Sequence, residues 1–131
     1  MEPPILFFLF SHTPTEVQLA DARKTLGVDH FVTPPPEIGR LWRQVPPDLD
    51  TIDDYLTPVK HWLAGRARKG DFVLIQGDFG ATYRMVRFAL EGGFIPIYST
   101  TERRAVEQHE PDGRVRLSHT FYHCRFRRYE T

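Results

Sequence analysis

Ile5-Leu6-Phe7-Phe8-Leu9-Phe10, followed at once by Ser11-His12-Thr13-Pro14-Thr15-Glu16, decides the fold class of this chain. The apolar run shows no alternation, as expected of a strand covered on both faces inside a parallel sheet. The polar run reads as a helix start. Thr13 caps it, Pro14 takes the first position, where a missing N–H costs nothing, and Glu16 completes a capping box. The pattern predicts a helix over 14–26 with Val17, Ala20 and Leu26 on its apolar face, stopped by Gly27 in a left-handed conformation. The order is therefore strand, tight polar turn, helix.

A second unit repeats that order. After Asp71, Phe72-Val73-Leu74-Ile75 is again continuously apolar, residues 76–82 form a glycine-containing turn, and a helix over 83–90 closes at Gly92-Gly93. Between the two units, His30-Phe31-Val32-Thr33 is a short strand ended by Pro34, Pro35 and Pro36, which cannot donate to a ladder. A short helix carrying Leu41 and Trp42 follows. Tyr55, Leu56, Val59, Trp62 and Leu63 recur at spacings of three and four, giving an amphipathic helix that Pro58 kinks or restarts at Thr57. Residues 94–98 supply a fourth strand, ending in the polar run Ser99-Thr100-Thr101-Glu102-Arg103-Arg104. Finally, residues 105–110 and 114–129 flank Pro111-Asp112-Gly113, a turn sequence that predicts an antiparallel hairpin rich in arginine. Strands alternating with helices specify an α/β domain with a mainly parallel sheet, in the order 2-1-3-4 with the hairpin beside strand four.

Composition narrows the function classes. A chain of 131 residues suits one domain spanning 1–131, and 17 lysines and arginines against 17 aspartates and glutamates give no net field to attract duplex DNA. The lone Cys124 fits a reducing compartment, and the apolar run before Ser11 is too short to span a bilayer and lacks a basic leader. A soluble cytoplasmic protein that works without membrane or DNA is expected.

In open α/β sheets, ligands sit beyond the carboxyl ends of the strands, where strand order reverses. Three polar loops are expected there: Ser11-His12-Thr13, residues 76–82, and residues 99–104 with Thr100, Thr101 and Arg103. Gln76, Gly77, Phe79, Gly80 and Ala81 lie where backbone amides and a helix N-terminus favour phosphate, or where they simply enter a helix. His12 is the natural group for proton transfer near neutrality, or an ordinary structural histidine of the loop. Asp78 either accepts a ribose hydroxyl or stabilises the following helix, and Thr82 has the same two readings. Arg103 and Arg104 neutralise phosphate or form surface charge. The six histidines are scattered without metal-site spacing, so metal-independent chemistry without a cofactor is expected.

These residues also carry a resemblance. The run from Phe7 to Thr13, Trp42 with Pro46-Pro47, Tyr55-Leu56-Thr57-Pro58 through Trp62-Leu63, and above all Gly70-Asp71-Phe72-Val73-Leu74-Ile75-Gln76-Gly77-Asp78-Phe79-Gly80-Ala81-Thr82-Tyr83 resemble the small CRISPR-associated proteins of the Csx-twenty family over nearly the whole chain. The resemblance implies a Rossmann-like fold of the CRISPR-associated type (CARF-like), a homodimer, and a ring nuclease that opens cyclic oligoadenylate, cyclic tetra-adenylate foremost, in type III CRISPR immunity. The implied reaction is in-line attack of a ribose 2′-hydroxyl, leaving 2′,3′-cyclic phosphate ends, with much of the rate supplied by positioning. By their position at the strand ends, His12, Ser11, Asp78 and Thr82 are the candidate catalytic groups for it. Thr13, Gln76, Gly77, Phe79, Gly80, Ala81, Thr100, Thr101 and Arg103 are the candidate ligand contacts. A protein that sequesters the ring without cutting it, or an enzyme with one mononucleotide pocket per chain, remains open on the sequence.

Overall fold

The computed structural model describes residues 2–131 and centres on β1 (Ile5–Phe10), whose alternate side chains enter two separate cores. Phe7 and Leu9 face one core and Leu6 and Phe8 the other, which is why the strand carries no polar position. After it come α1 (Glu16–Asp21), a π-helical turn (Ala22–Leu26), β2 (His30–Val32), α2 (Pro36–Arg43), α3 (Thr57–Arg66), β3 (Phe72–Gln76), α4 (Phe79–Glu91), β4 (Ile95–His109) and β5 (Val115–Arg128). The sheet runs β2-β1-β3-β4-β5. β1 pairs in parallel with both β2 and β3, β3 pairs in parallel with β4, and β5 returns antiparallel. The order is the expected one, but the sheet is mixed. Parallel pairing is confined to β2, β1, β3 and the first residues of β4.

The larger core packs α2, α3 and α4 against one face of the sheet through Trp42, Leu56, Leu63 and Met85. On the other face, Ala22 and Leu19 from the α1 segment meet Phe8, Leu74, Ile97 and Phe126. Gly27 ends that segment at φ 68°, the left-handed stop its position implied. Helix α3 begins at Thr57 with Pro58 in its first turn, so Pro58 starts the helix and does not kink it. Asp71 is buried at the amino end of β3, where its carboxylate accepts the N–H of Ile5 at 3.0 Å and of Arg68 at 2.9 Å. Among the described residues no helix is long and apolar enough to cross a membrane.

Three expectations need correction. The cap of α1 is Thr15, not Thr13: its hydroxyl accepts Gln18 N–H at 3.2 Å, and Gln18 Oε1 accepts Thr15 N–H at 2.9 Å. With Thr15 as the cap, Gln18 holds the third helical position that closes the box and Glu16 falls at the first. Helix α4 starts at Phe79, four residues before Tyr83, because Asp78 Oδ2 accepts Ala81 N–H at 3.0 Å. Gly80, Ala81 and Thr82 therefore form its first turn. Finally, residues 99–104 are not a loop. β4 continues through them to His109, and Thr100, Thr101 and Arg103 stand in a long hairpin with β5. β3 pairs with β4 only as far as Leu74 and Ile97, so the outer part of this hairpin extends beyond the sheet as a two-stranded arm. Its turn matches the sequence: Gly113 has φ 89° and donates to Glu110 O at 3.1 Å.

Candidate functional site

Because β1 and β3 are parallel neighbours, their polar ends emerge on the same side, at the point where strand order reverses. Gln76 is the residue through which they meet. Its backbone carbonyl accepts the Trp42 indole N–H at 3.1 Å and the Ser11 hydroxyl at 3.4 Å. Its side-chain Oε1 accepts Ser99 N–H at 2.7 Å, just where the ladder between β3 and β4 has ended. That orientation leaves Nε2 of Gln76 as the end free to donate elsewhere. Gly77 follows because nothing larger fits. A Cβ there would stand 2.8 Å from Trp42 Nε1 and 3.1 Å from Ser11 Oγ.

A cavity of about 500 Å³ opens over this junction, lined by Ser11, His12, Gln76, Gly77, Phe79, Thr82 and the rings of Phe10 and Tyr129. Thr82 Oγ1 is buried and has no hydrogen-bond partner among the described residues. A buried hydroxyl without a partner is costly. Phe79 is 95% exposed at the rim, an unusual position for a large apolar side chain. His12 is exposed and packs edge-on against Phe10 at 5.5 Å. Tyr129 donates its hydroxyl to Ile75 O at 2.6 Å, and burial, with Tyr98 nearby, pushes its pKa up to about 12, so the phenol is a neutral donor near neutrality.

A second cavity, of about 460 Å³, lies on the α1 side and shares Phe10, His12 and Gln76 with the first. Thr13, Thr101, Ser99 and His123 line it. Here the fold assembles a set of groups that the sequence reading missed. Ser99 Oγ is 2.5 Å from His123 Nδ1, and His123 Nε2 is 2.6 Å from Asp21 Oδ2. Asp21 is itself held, its Oδ1 accepting the Thr25 hydroxyl at 3.2 Å. Gln18 Nε2 donates to Ser99 Oγ at 3.3 Å. The four residues lie on α1, β4 and β5, with 102 positions between Asp21 and His123, so no local spacing could reveal them. The one available signal was the alternation of β5, which puts His123 on the same face as Phe121 and opposite Thr101.

The sequence candidates thus divide. Ser11, His12, Gln76, Gly77, Phe79 and Thr82 surround the first cavity, and Thr13 and Thr101 border the second. Asp78 is engaged as the cap of α4, and its charge occupies the helix N-terminus where phosphate was expected. Ala81 is buried in the core. A Cβ on Gly80 would meet Ile52 Cδ1 at 3.2 Å, so that glycine answers to packing as well as to any ligand. Thr100 bonds across the hairpin to Arg125, and Arg103 is exposed on the arm. Among the described residues no three His, Cys, Asp or Glu side chains cluster as a metal site would require.

Against known proteins, the sequence model described as "Uncharacterized protein MJ1673 family" matches residues 4–127. The chain is 52% identical over 126 residues to the protein named "Uncharacterized protein MJ1673" of Methanocaldococcus jannaschii, covering 96% of this chain and 97% of that one. No solved structure matches.

Proposed function

The chain belongs to the uncharacterized protein MJ1673 family, and from that premise we propose that it binds cyclic oligoadenylate, cyclic tetra-adenylate foremost, and opens the ring without a metal ion. In this reading the fold is a Rossmann-like variant of the CARF-like type, working as a cytoplasmic homodimer that ends type III CRISPR signalling. The observation that carries the proposal is the pair of neighbouring cavities at the carboxyl ends of β1 and β3, which share Phe10, His12 and Gln76 and are lined further by Ser11, Thr82 and Ser99. The likeness of the runs around Phe7 and Gly70 to the Csx-twenty family supports it from the side of sequence.

The chemistry asked of this chain is modest. Gln76 Nε2, Ser11 and Thr82 hydrogen-bond ribose and phosphate, Phe79 stacks on an adenine, and His12 protonates the leaving 5′-oxygen. A two-fold dimer presents two such sites to a ring of matching symmetry. The exposed side of the arm, with Leu117 at 62% and Phe121 at 64% exposure, offers apolar surface for the second copy.

A second reading, sequestration without cleavage, is favoured by one observation: among the described residues no carboxylate lines the first cavity, and Asp78, between its lining residues Gly77 and Phe79, is tied into a helix cap. Incubation with cyclic tri-, tetra- and hexa-adenylate in chelator, followed by product separation, decides between them. Linear products with 2′,3′-cyclic phosphate ends are expected. Tight binding with the ring intact would establish sequestration, and absence of binding would refute both readings.

A further inference from the structure

We infer that Ser99, backed by His123 and Asp21, is the group that takes the proton from the attacking 2′-hydroxyl. This rests on the ring-opening reading above and supplies the base which that reading lacks. A carboxylate can only accept, so Asp21 fixes the ring proton of neutral His123 on Nε2 and leaves Nδ1 to accept from Ser99. The Ser99 hydroxyl then has one bond in, from Gln18, one bond out, to His123, and a single lone pair left. Ser99 borders the second cavity, where a ribose hydroxyl can donate to that lone pair. The His123 side chain is only 4% exposed and Ser99 6%, so water does not compete for this chain of bonds as it would at the surface. A hydroxyl in contact with a base that a carboxylate orients in turn is the arrangement that activates an oxygen for transfer.

The step balances. The 2′-hydroxyl proton passes to Ser99 Oγ as the Ser99 proton moves to His123 Nδ1. The 2′-oxygen bonds to phosphorus and the bond from phosphorus to the 5′-oxygen breaks. That oxygen takes a proton from protonated His12, which borders the same cavity. His123 ends as the imidazolium beside the Asp21 carboxylate. Ser99 is the catalytic residue, and His123 and Asp21 act through it as positioning residues. The titratable or charged groups about His123 are Asp21 from α1, His12 from the turn after β1, its chain neighbour Tyr122, and Arg103 farther along the same face of the arm.

The test is single-turnover cleavage in chelator, across pH, of cyclic tetra-adenylate and of linear ribo-oligoadenylate. The proteins are the unaltered chain, Ser99→Ala, His123→Gln and Asp21→Asn, with ligand affinity measured in parallel. His123→Gln and Ser99→Ala should cut about a hundredfold more slowly with affinity kept within a few fold. Asp21→Asn keeps the shape of the side chain but removes the charge that balances the imidazolium, and should slow the reaction about tenfold or more. The dependence of rate on pH should differ between the unaltered chain and His123→Gln. Rates within threefold of the unaltered chain in all three variants, or an unchanged pH profile, would overturn the inference while leaving ring opening intact. Cleavage of linear but not cyclic substrate, lost in His123→Gln, would sink the ring reading and keep the relay. A chain that cuts neither substrate refutes the relay as well.

Discussion

Replacing Gly77 by alanine tests whether the junction of β1, α2 and β3 is as tight as its geometry says. The added Cβ would lie 2.8 Å from Trp42 Nε1, 3.0 Å from Trp42 Cε2 and 3.1 Å from Ser11 Oγ. Ordinary carbon contacts fall at about 3.5–4 Å, so the indole must retreat by roughly 0.5–1 Å. Trp42 is 2% exposed and packed in the larger core, which leaves it nowhere to go without overpacking, at a cost of about 1–3 kcal/mol. Retreat also stretches its 3.1 Å bond to Gln76 O, worth about 1 kcal/mol net. Against this, alanine restricts the unfolded chain more than glycine does, returning about 0.4–1 kcal/mol. The sum is a loss of about 1–3 kcal/mol. Urea denaturation followed by tryptophan fluorescence should show a lower midpoint with an unchanged slope. Gly65→Ala, in α3 with nothing within 4 Å of its added Cβ, is the control and should be neutral or stabilising. Stability of Gly77→Ala within about 0.5 kcal/mol of the unaltered chain would refute the close approach, since surface substitutions commonly fall in that range.

Asp71→Ala should cost about 2–4 kcal/mol, because it strands the Ile5 and Arg68 amides that the buried carboxylate holds. A thermal melt within 2–3 °C of the unaltered chain, roughly the shift expected of a sub-kilocalorie change, would contradict this. Thr82→Val should leave stability unchanged or slightly raised, since it removes a buried hydroxyl without a partner, and should weaken binding of cyclic tetra-adenylate. Equal affinity in the two proteins would remove Thr82 from the site. Tyr129 holds its proton in the folded chain up to about pH 12 while the unfolded phenol releases it near 10, so its share of stability is complete below pH 10 and is lost as pH rises toward 12. Tyr129→Phe should flatten that part of the stability curve, and an unaltered alkaline slope would assign the loss to other groups.

The sequence by itself determined that β1 and β3 are inner strands, because burial on both faces explains the six apolar residues Ile5–Phe10 and the four apolar residues Phe72–Ile75 in unbroken runs. It also placed Ser11, His12 and Gln76 at one end of the sheet, since parallel neighbours must share that end. Helix starts were less legible. Thr13, Thr15 and Asp78 are all competent caps, and which one is used depends on what its partner must also reach: Gln18 turns inward to Ser99. The polar run from Ser99 read as a loop because one strand alone gives it no buried face. Pairing with β5 satisfies its backbone without any core, and that pairing exists only once the chain has turned at Gly113. Asp21, Ser99 and His123 were beyond reach for the same reason. Each is an ordinary polar residue in its own segment, and only the antiparallel return of β5 beneath α1 brings the imidazole between the hydroxyl and the carboxylate. Local interactions have periods that a sequence displays, whereas contacts across a hundred residues are set by how the elements stack.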